Sequence, residues 1–310
     1  MLAPTILAAA AISFLQALIL GVLQGASEVF PVSSLGHTVL LPTLFGWHRL
    51  VAVQAQAGSA HGSFWLAFLV ALHVGSALGL LAYFWRDWVA IVRAFARSVA
   101  RRRAQEPLER LAWLIVAASI PAGVIALALQ KPLTRMTAKP QAAALFLIVN
   151  GLILLGAESM RRRALARERA RARAAGGRAA GERSLRSLSL REALAIGVAQ
   201  SSALIAGISR DGVTMSAGLS QRLSHEAAAR FAFLLATPII LAAGLYKLPS
   251  LAGPAGADIR GQALVACLAA AFTAYLVVAF LVRWFRVRTL APFALYCLLF
   301  GAAMSIYTAT

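Results

Sequence analysis

Charge is scarce in this chain and almost all of one sign. Only 13% of the 310 residues are charged, 30 Lys and Arg against 11 Asp and Glu, for a net charge of +19. Soluble domains average about 25% charged residues, so a soluble enzyme is excluded. Cysteine is nearly absent. Cys267 and Cys297 both sit in apolar runs, which rules out a disulfide framework and a cysteine metal site. No Lys or Arg precedes Arg49, so the first apolar stretch lacks the basic flank of a cleaved signal and is expected to be mature structure. The basic residues fall in short blocks between apolar runs, not on a face interleaved with aromatics, which argues against a nucleic-acid partner.

What is present is hydrocarbon. Residues A, V, I, L, M, F, W, Y and C make up 60% of the chain, and runs near 64–85, 111–129, 142–159, 229–247, 262–282 and 290–309 approach the ~20 residues that a bilayer's hydrocarbon core asks of a helix. Six transmembrane helices are expected from them. Seven Arg and three acids lie between Arg86 and Arg110, and eleven Arg and two Glu between Arg161 and Arg191. Two spans separate these blocks, so both fall on one side, which the positive-inside rule makes cytoplasmic, together with Arg283, Arg286 and Arg288. The Ala/Arg/Gly/Ser stretch 161–191 is low in complexity and reads as a mobile linker, helical at its start, between a first half (1–160) and a second (192–310).

Two further apolar regions, 5–46 and 192–224, are interrupted by residues that a lipid-facing helix avoids. The first contains Gln24, Glu28, Pro31, Ser33, Ser34, Gly36 and His37; the second contains Gln200, Gly207, Ser209, Arg210, Asp211 and Gly212. Broken backbone and ionisable groups are tolerated at membrane depth only inside protein or beside a watery cavity. Both regions therefore read as re-entrant helix pairs. A shift of 176 residues superposes Ala17–Thr38 on Ala193–Thr214 with eight identities in 22 positions, among them Gln24/Gln200, Ser33/Ser209, Gly36/Gly212 and Thr38/Thr214. Each pair precedes three spans, an odd number, so the second half starts on the opposite face. The fold class expected is an all-α integral membrane protein with an inverted-topology repeat, its two breaks meeting near the midplane.

If the breaks meet, one pocket holds a carboxylate, hydroxyls, an imidazole and a guanidinium. Arg210 suits a phosphate through bidentate hydrogen bonds, and backbone N–H groups near Gly36 and Gly212 could add an anion nest. Ser33 or Ser34 with His37 supplies a nucleophile and a base. Glu28 has the chemistry to orient His37, to hold a divalent cation such as Mg or Ca, or to move protons. Taken singly, Ser and Gly pack membrane helices and Arg210–Asp211 is an ion pair; clustered at related breaks, they point to chemistry. His73, inside an apolar run, is equally compatible with structure.

The run Gln24–His37 resembles the (Glu/Gln)-Gly-x-x-Glu…Pro-Val-Ser-Ser-x-Gly-His motif of the undecaprenyl-diphosphate phosphatases. Gly207–Thr214 resembles their Pro-Gly-x-Ser-Arg-Ser-Gly-x-Thr motif, and Phe84-Trp85-Arg86 and Phe233–Pro238 also fit. The resemblance spans nearly the whole chain apart from the Arg-rich stretch. It implies removal of the terminal phosphate of undecaprenyl diphosphate at the outer face of the bacterial inner membrane, with recycling of the cell-wall lipid carrier and bacitracin resistance. Glu28, Ser33, Ser34, His37 and Arg210 are then expected to be catalytic, and Gln24, Gly36, Ser209, Asp211, Gly212 and Thr214 to bind substrate. Ser34 is the preferred nucleophile with His37 as base or acid; His37 as nucleophile, or metal-activated water at Glu28, stays open. Three positions depart from the family: Gln24 for Glu, Ala206 for Pro and Asp211 for Ser. A transporter or flippase for an anionic lipid or small anion is the alternative, because broken helices in inverted repeats also serve transport.

Overall fold

A computed structural model describes residues 12–55, 63–136, 139–175, 181–252 and 259–309; positions 5–11 of the first expected pair lie outside these. Twelve helices account for most of the described residues, with no strand among them: α1 (Phe14–Val29), α2 (Ser34–Leu44), α3 (His48–Ala55), α4 (Ser63–Tyr83), α5 (Trp85–Arg101), α6 (Pro107–Met136), α7 (Pro140–Ala174), α8 (Leu190–Gln200), α9 (Arg210–Ser220), α10 (His225–Ala252), α11 (Arg260–Trp284) and α12 (Ala291–Tyr307). Four of them, α6, α7, α10 and α11, are long and apolar enough on their own to cross a membrane. A fifth span arises if α4 and α5, bent by 83° at Phe84, count as one. The remaining expected span, 290–309, is the 17-residue α12.

The two broken pairs are built alike. Ser13 caps α1 in a capping box with Gln16, and Ser189 caps α8 in a capping box with Glu192, satisfying helix N–H groups that lack intrahelical partners. The second helix of each pair is capped by Ser33 or Ser209, whose side chain accepts from the N–H of Gly36 or Gly212. All these pairs keep the 176-residue offset. The first break carries Pro31 and Ser33, the latter at φ +71°; the second carries Gly207 at φ +102°, a region that favours glycine.

Small residues let these helices approach closely. Helix α11 is gripped by two Gly-x-x-x-Gly pairs: Gly21/Gly25 of α1 sit on Ala266, Ala270 and Ala274, and Gly75/Gly79 of α4 sit on Cys267, Ala271 and Ala274. A Cβ at Gly25 would lie 2.9 Å from the Ala274 nitrogen. In the second half, Gly197 of α8 packs on Ala118 of α6. Each broken pair thus leans on a helix of the other half, and α4 packs against α10 while α7 packs against α12.

Within the Arg-rich stretch, residues 161–175 and 181–191 are described, and the first of these continue a helix. Helix α7 runs on to Ala174, about 52 Å at 1.5 Å per residue, well beyond the ~30 Å hydrocarbon core. Charge pairs fasten the end of this helix and the chain beyond it: Arg161 with Glu182, Arg222 with Glu168, and Arg183 with Glu192 at 2.5 Å. The Arg183 N–H also donates to the Arg222 carbonyl at 3.0 Å.

Candidate active site

Both breaks converge on Glu28, in the last turn of α1. One turn earlier, Gln24 donates through Nε2 to Glu28 Oε2 at 2.9 Å. The Ser34 hydroxyl, at the first position of α2, donates to the same oxygen. From the other half, Arg210 at the first position of α9 donates through one terminal nitrogen to Glu28 Oε1 at 2.9 Å and through Nε to Asp211 Oδ1 at 3.3 Å. Gln24, Glu28, Ser34 and Asp211 are all buried, and a buried charge persists only when paired. Arg210 is held from two sides in this way. Two of its five N–H donors are spent, and three remain.

Ser33 ties the breaks together. Its hydroxyl oxygen accepts from Gly36 N at 3.3 Å and, across the halves, from Gly207 N at 3.1 Å. A Cβ at Gly36 would come within 3.1 Å of the Gly207 Cα, so a side chain there would push the two breaks apart by a few tenths of an ångström. The Ser209 hydroxyl accepts from Gly212 N at 3.1 Å. Thr214 is buried beneath, one turn into α9.

Two residues join that the expected set omits. Asn150, in the middle of α7 and fully buried, donates through Nδ2 to the Pro31 carbonyl at 3.0 Å and accepts from Ser209 N at 2.9 Å. One amide thereby pins both breaks. An Asn inside an otherwise apolar span was the available signal, since polar groups at that depth face protein partners. His73, on α4, places Nε2 3.7 Å from Glu28 Oε2. Its Nδ1 lies 2.8 Å from the Leu69 carbonyl, which can only accept, so Nδ1 carries a hydrogen and Nε2 is the atom turned toward the carboxylate.

His37 is not brought to Ser34. Its Nδ1 donates to the Ser33 carbonyl at 2.7 Å and its Nε2 lies 2.7 Å from the Tyr296 hydroxyl. The ring stacks on Tyr296 and Phe300, with centroids 5.7 and 5.3 Å away. The Ser34 hydroxyl donates to Glu28, while His37 joins Ser33 of the first break to Tyr296 of α12. The donor set also lacks a ready cage for a resident divalent cation at Glu28. Arg210, Ser34 and Gln24 already engage its oxygens, and no group of three His, Cys, Asp or Glu suited to a metal occurs among the described residues.

Glu28, Ser33, Ser34, His73, Ser209 and Arg210 form the polar end of a cavity of about 1040 Å³. Its other walls are apolar, from α5 (Trp88, Ile91), α6 (Ile115, Ile120, Leu127) and α10 (Pro238, Ile240). A charged head beside a long greasy trough is the shape of a lipid with an anionic headgroup.

Residues 17–303 match the family model described as bacitracin resistance protein BacA. Among curated relatives, undecaprenyl-diphosphatase 2 of Frankia alni is 49% identical, with 95% of this chain and 98% of the relative covered. The undecaprenyl-diphosphatase of Mycolicibacterium paratuberculosis is also 49% identical, over 96% and 98%. That of Acidiphilium cryptum is 43% identical, over 93% and 95%.

Proposed function

The chain belongs to the bacitracin resistance protein BacA family, and from that premise we propose that it hydrolyses undecaprenyl diphosphate to undecaprenyl phosphate and inorganic phosphate. It is a multi-pass membrane enzyme, a polyprenyl-diphosphate phosphatase. The observation that carries the catalytic reading is the Ser34–Glu28–Arg210 contact at the head of an apolar cavity.

In this reading Ser34 Oγ attacks the terminal phosphorus in line with the bridging P–O bond. Its proton passes to Glu28 Oε2, and the bridging oxygen leaves with the bonding pair as undecaprenyl phosphate. Glu28 hands that proton to the departing undecaprenyl phosphate, then accepts one from the water that attacks the phosphoserine and returns it to Ser34 Oγ as the P–O bond breaks and inorganic phosphate is released. Phosphoryl transfer is governed by positioning and charge. The three spare N–H donors of Arg210 suit the equatorial oxygens, and the helix N-termini at Ser34 and Arg210 aim their positive ends at the same place. Gln24 and Asp211 hold the ion pair from its two ends, while Ser33, Ser209, Gly36, Gly212 and Thr214 shape the breaks around the phosphate. These steps use the chain's own residues, and none is routed through a divalent cation.

The two halves form an inverted repeat of three spans each, a reading supported by the matching caps and breaks at one offset. The Arg-rich blocks face the cytoplasm and the site opens to the periplasmic side of the inner membrane, as the charge asymmetry favours. Purified protein should release phosphate from a polyprenyl diphosphate, with chelator as a second arm, and Glu28→Gln should abolish release while the folded protein survives extraction. Binding without phosphate release would favour the transporter reading instead. Impermeant labels on 181–189 should react only from the cytoplasm, and reaction from outside would overturn the orientation.

A further inference from the structure

Helix α5 has three faces, and one of them packs into the body of the protein. Ile91, Ala94 and Ser98 are buried against the body, and the Ser98 hydroxyl accepts from the Trp113 indole of α6 at 3.0 Å. A second stripe, Trp85, Val89, Val92 and Val99, follows helical spacing and is apolar yet exposed, at 54, 39, 58 and 50%. The third stripe is Arg86, Arg93, Arg97 and Arg101. Arg97 pairs with Glu106, and the helix's one acid, Asp87, is taken by Arg230 of α10. Arg86 and Arg93 make no ion pair among the described residues, and the Arg86 guanidinium sits over the Trp85 ring at 5.3 Å.

Orientation gives these stripes their meaning. The 83° bend at Phe84 turns α5 nearly perpendicular to α4. When α4 runs into the bilayer, α5 lies along its surface. An amphipathic helix with an apolar stripe, an aromatic anchor and an arginine face is built to rest at the boundary of headgroups and acyl chains. We propose that α5 is an in-plane helix that docks on an anionic phospholipid leaflet. Trp85, Val89, Val92 and Val99 sink among the acyl chains, and Arg86, Arg93, Arg97 and Arg101 bind phosphate-bearing headgroups. Charge decides the occupant: four guanidiniums, of which only Arg97 pairs with an acid among the described residues, and an Asp87 already taken by Arg230 suit an anionic lipid and repel a basic partner. Trp88, Ile91, Val92 and Phe95 of the same helix line the cavity, and Val92 also belongs to the exposed stripe, so lipids adsorbed on α5 border the trough. The proposal stands apart from the phosphatase reading.

The test uses the full chain in nanodiscs of pure phosphatidylcholine and of equal parts phosphatidylcholine and phosphatidylglycerol. With Cys267 and Cys297 replaced by alanine, spin labels are placed singly along 85–101. Labels at 85, 89, 92 and 99 should relax with oxygen, and those at 86, 93 and 97 with a water-soluble reagent. Equal aqueous access on both stripes, or an apolar stripe shielded from both reagents as under a protein partner, would overturn the proposal. Replacing all four arginines by glutamine should weaken the preference for a fluorescent phosphatidylglycerol by about tenfold or more, since each arginine near an anionic surface contributes about fivefold. An unchanged preference also overturns it, and the label scan stands independently should the quadruple variant fail to fold.

Discussion

Replacing Asn150 by alanine tests whether the two breaks are held as one site. The change strands the Ser209 N–H, now bonded to Oδ1 at 2.9 Å, and the Pro31 carbonyl, now accepting from Nδ2 at 3.0 Å. Asn150 has no solvent exposure, so neither group gains water in exchange. A buried polar group left unpaired costs about 1–3 kcal/mol, which sets the total near 2–6 kcal/mol before relaxation. Ser209 caps the helix that begins with Arg210, and Pro31 lies three residues before Ser34. Any separation of the breaks therefore moves guanidinium and nucleophile apart. If half of the loss falls on the transition state, kcat/KM drops by roughly 10- to 100-fold, each 1.4 kcal/mol being tenfold. Phosphate release and thermal unfolding in detergent read the two effects. Cys297→Ala is the control, because it removes the weaker Nδ2 contact at 3.3 Å and a long thiol contact to the Pro31 carbonyl at 3.9 Å while keeping both strong Asn150 bonds, and it should leave both readouts near wild type. Asn150→Ala with kcat/KM within about twofold of wild type, under 0.5 kcal/mol, would refute the reasoning.

Arg210→Lys keeps the charge but cannot hold Glu28, Asp211 and phosphate at once, so most activity should be lost; kinetics within a few-fold of wild type would remove Arg210 from the site. Gln24 and Asp211 act on opposite ends of the same ion pair, so Asp211→Ser should lower activity sharply and adding Gln24→Glu should restore much of it. A double variant no better than the single one breaks that coupling. His73→Gln, which keeps a polar atom beside Glu28, should retain several-fold more kcat than His73→Leu, and equal rates would make the ring mere packing.

Much of the site is legible in the sequence because polar residues in a hydrocarbon setting have few bland explanations. Gln24, Glu28, Ser34 and Arg210 stand out by chemistry alone, and the 176-residue offset predicts which segments meet. The caps at Ser13 and Ser189 keep that offset outside the aligned segment. Side-chain direction is not legible. His37 lies one helical turn from Ser34, a spacing that suggests a nucleophile and its base, but the Ser33 carbonyl four residues back captures Nδ1 and Tyr296 takes the other nitrogen. Asn150 escapes notice because one amide barely alters the hydropathy of its span. The Arg-rich stretch reads as a linker from composition, since tertiary ion pairs such as Arg161–Glu182 leave no local pattern.

The glycine grip on α11 has a consequence for how the chain is made. Gly21 and Gly25 meet Ala266, Ala270 and Ala274, residues that the ribosome reaches about 245 positions later, roughly 12–50 s at 5–20 residues per second. Through that interval α1 waits in or beside the translocon with Gln24 and Glu28 lacking both α11 and the partner that Arg210 will supply. The first break is therefore made about 245 residues before the helix that seats it. A nascent chain arrested before α11 should stay open to proteases at α1, and a second half supplied in trans should close it.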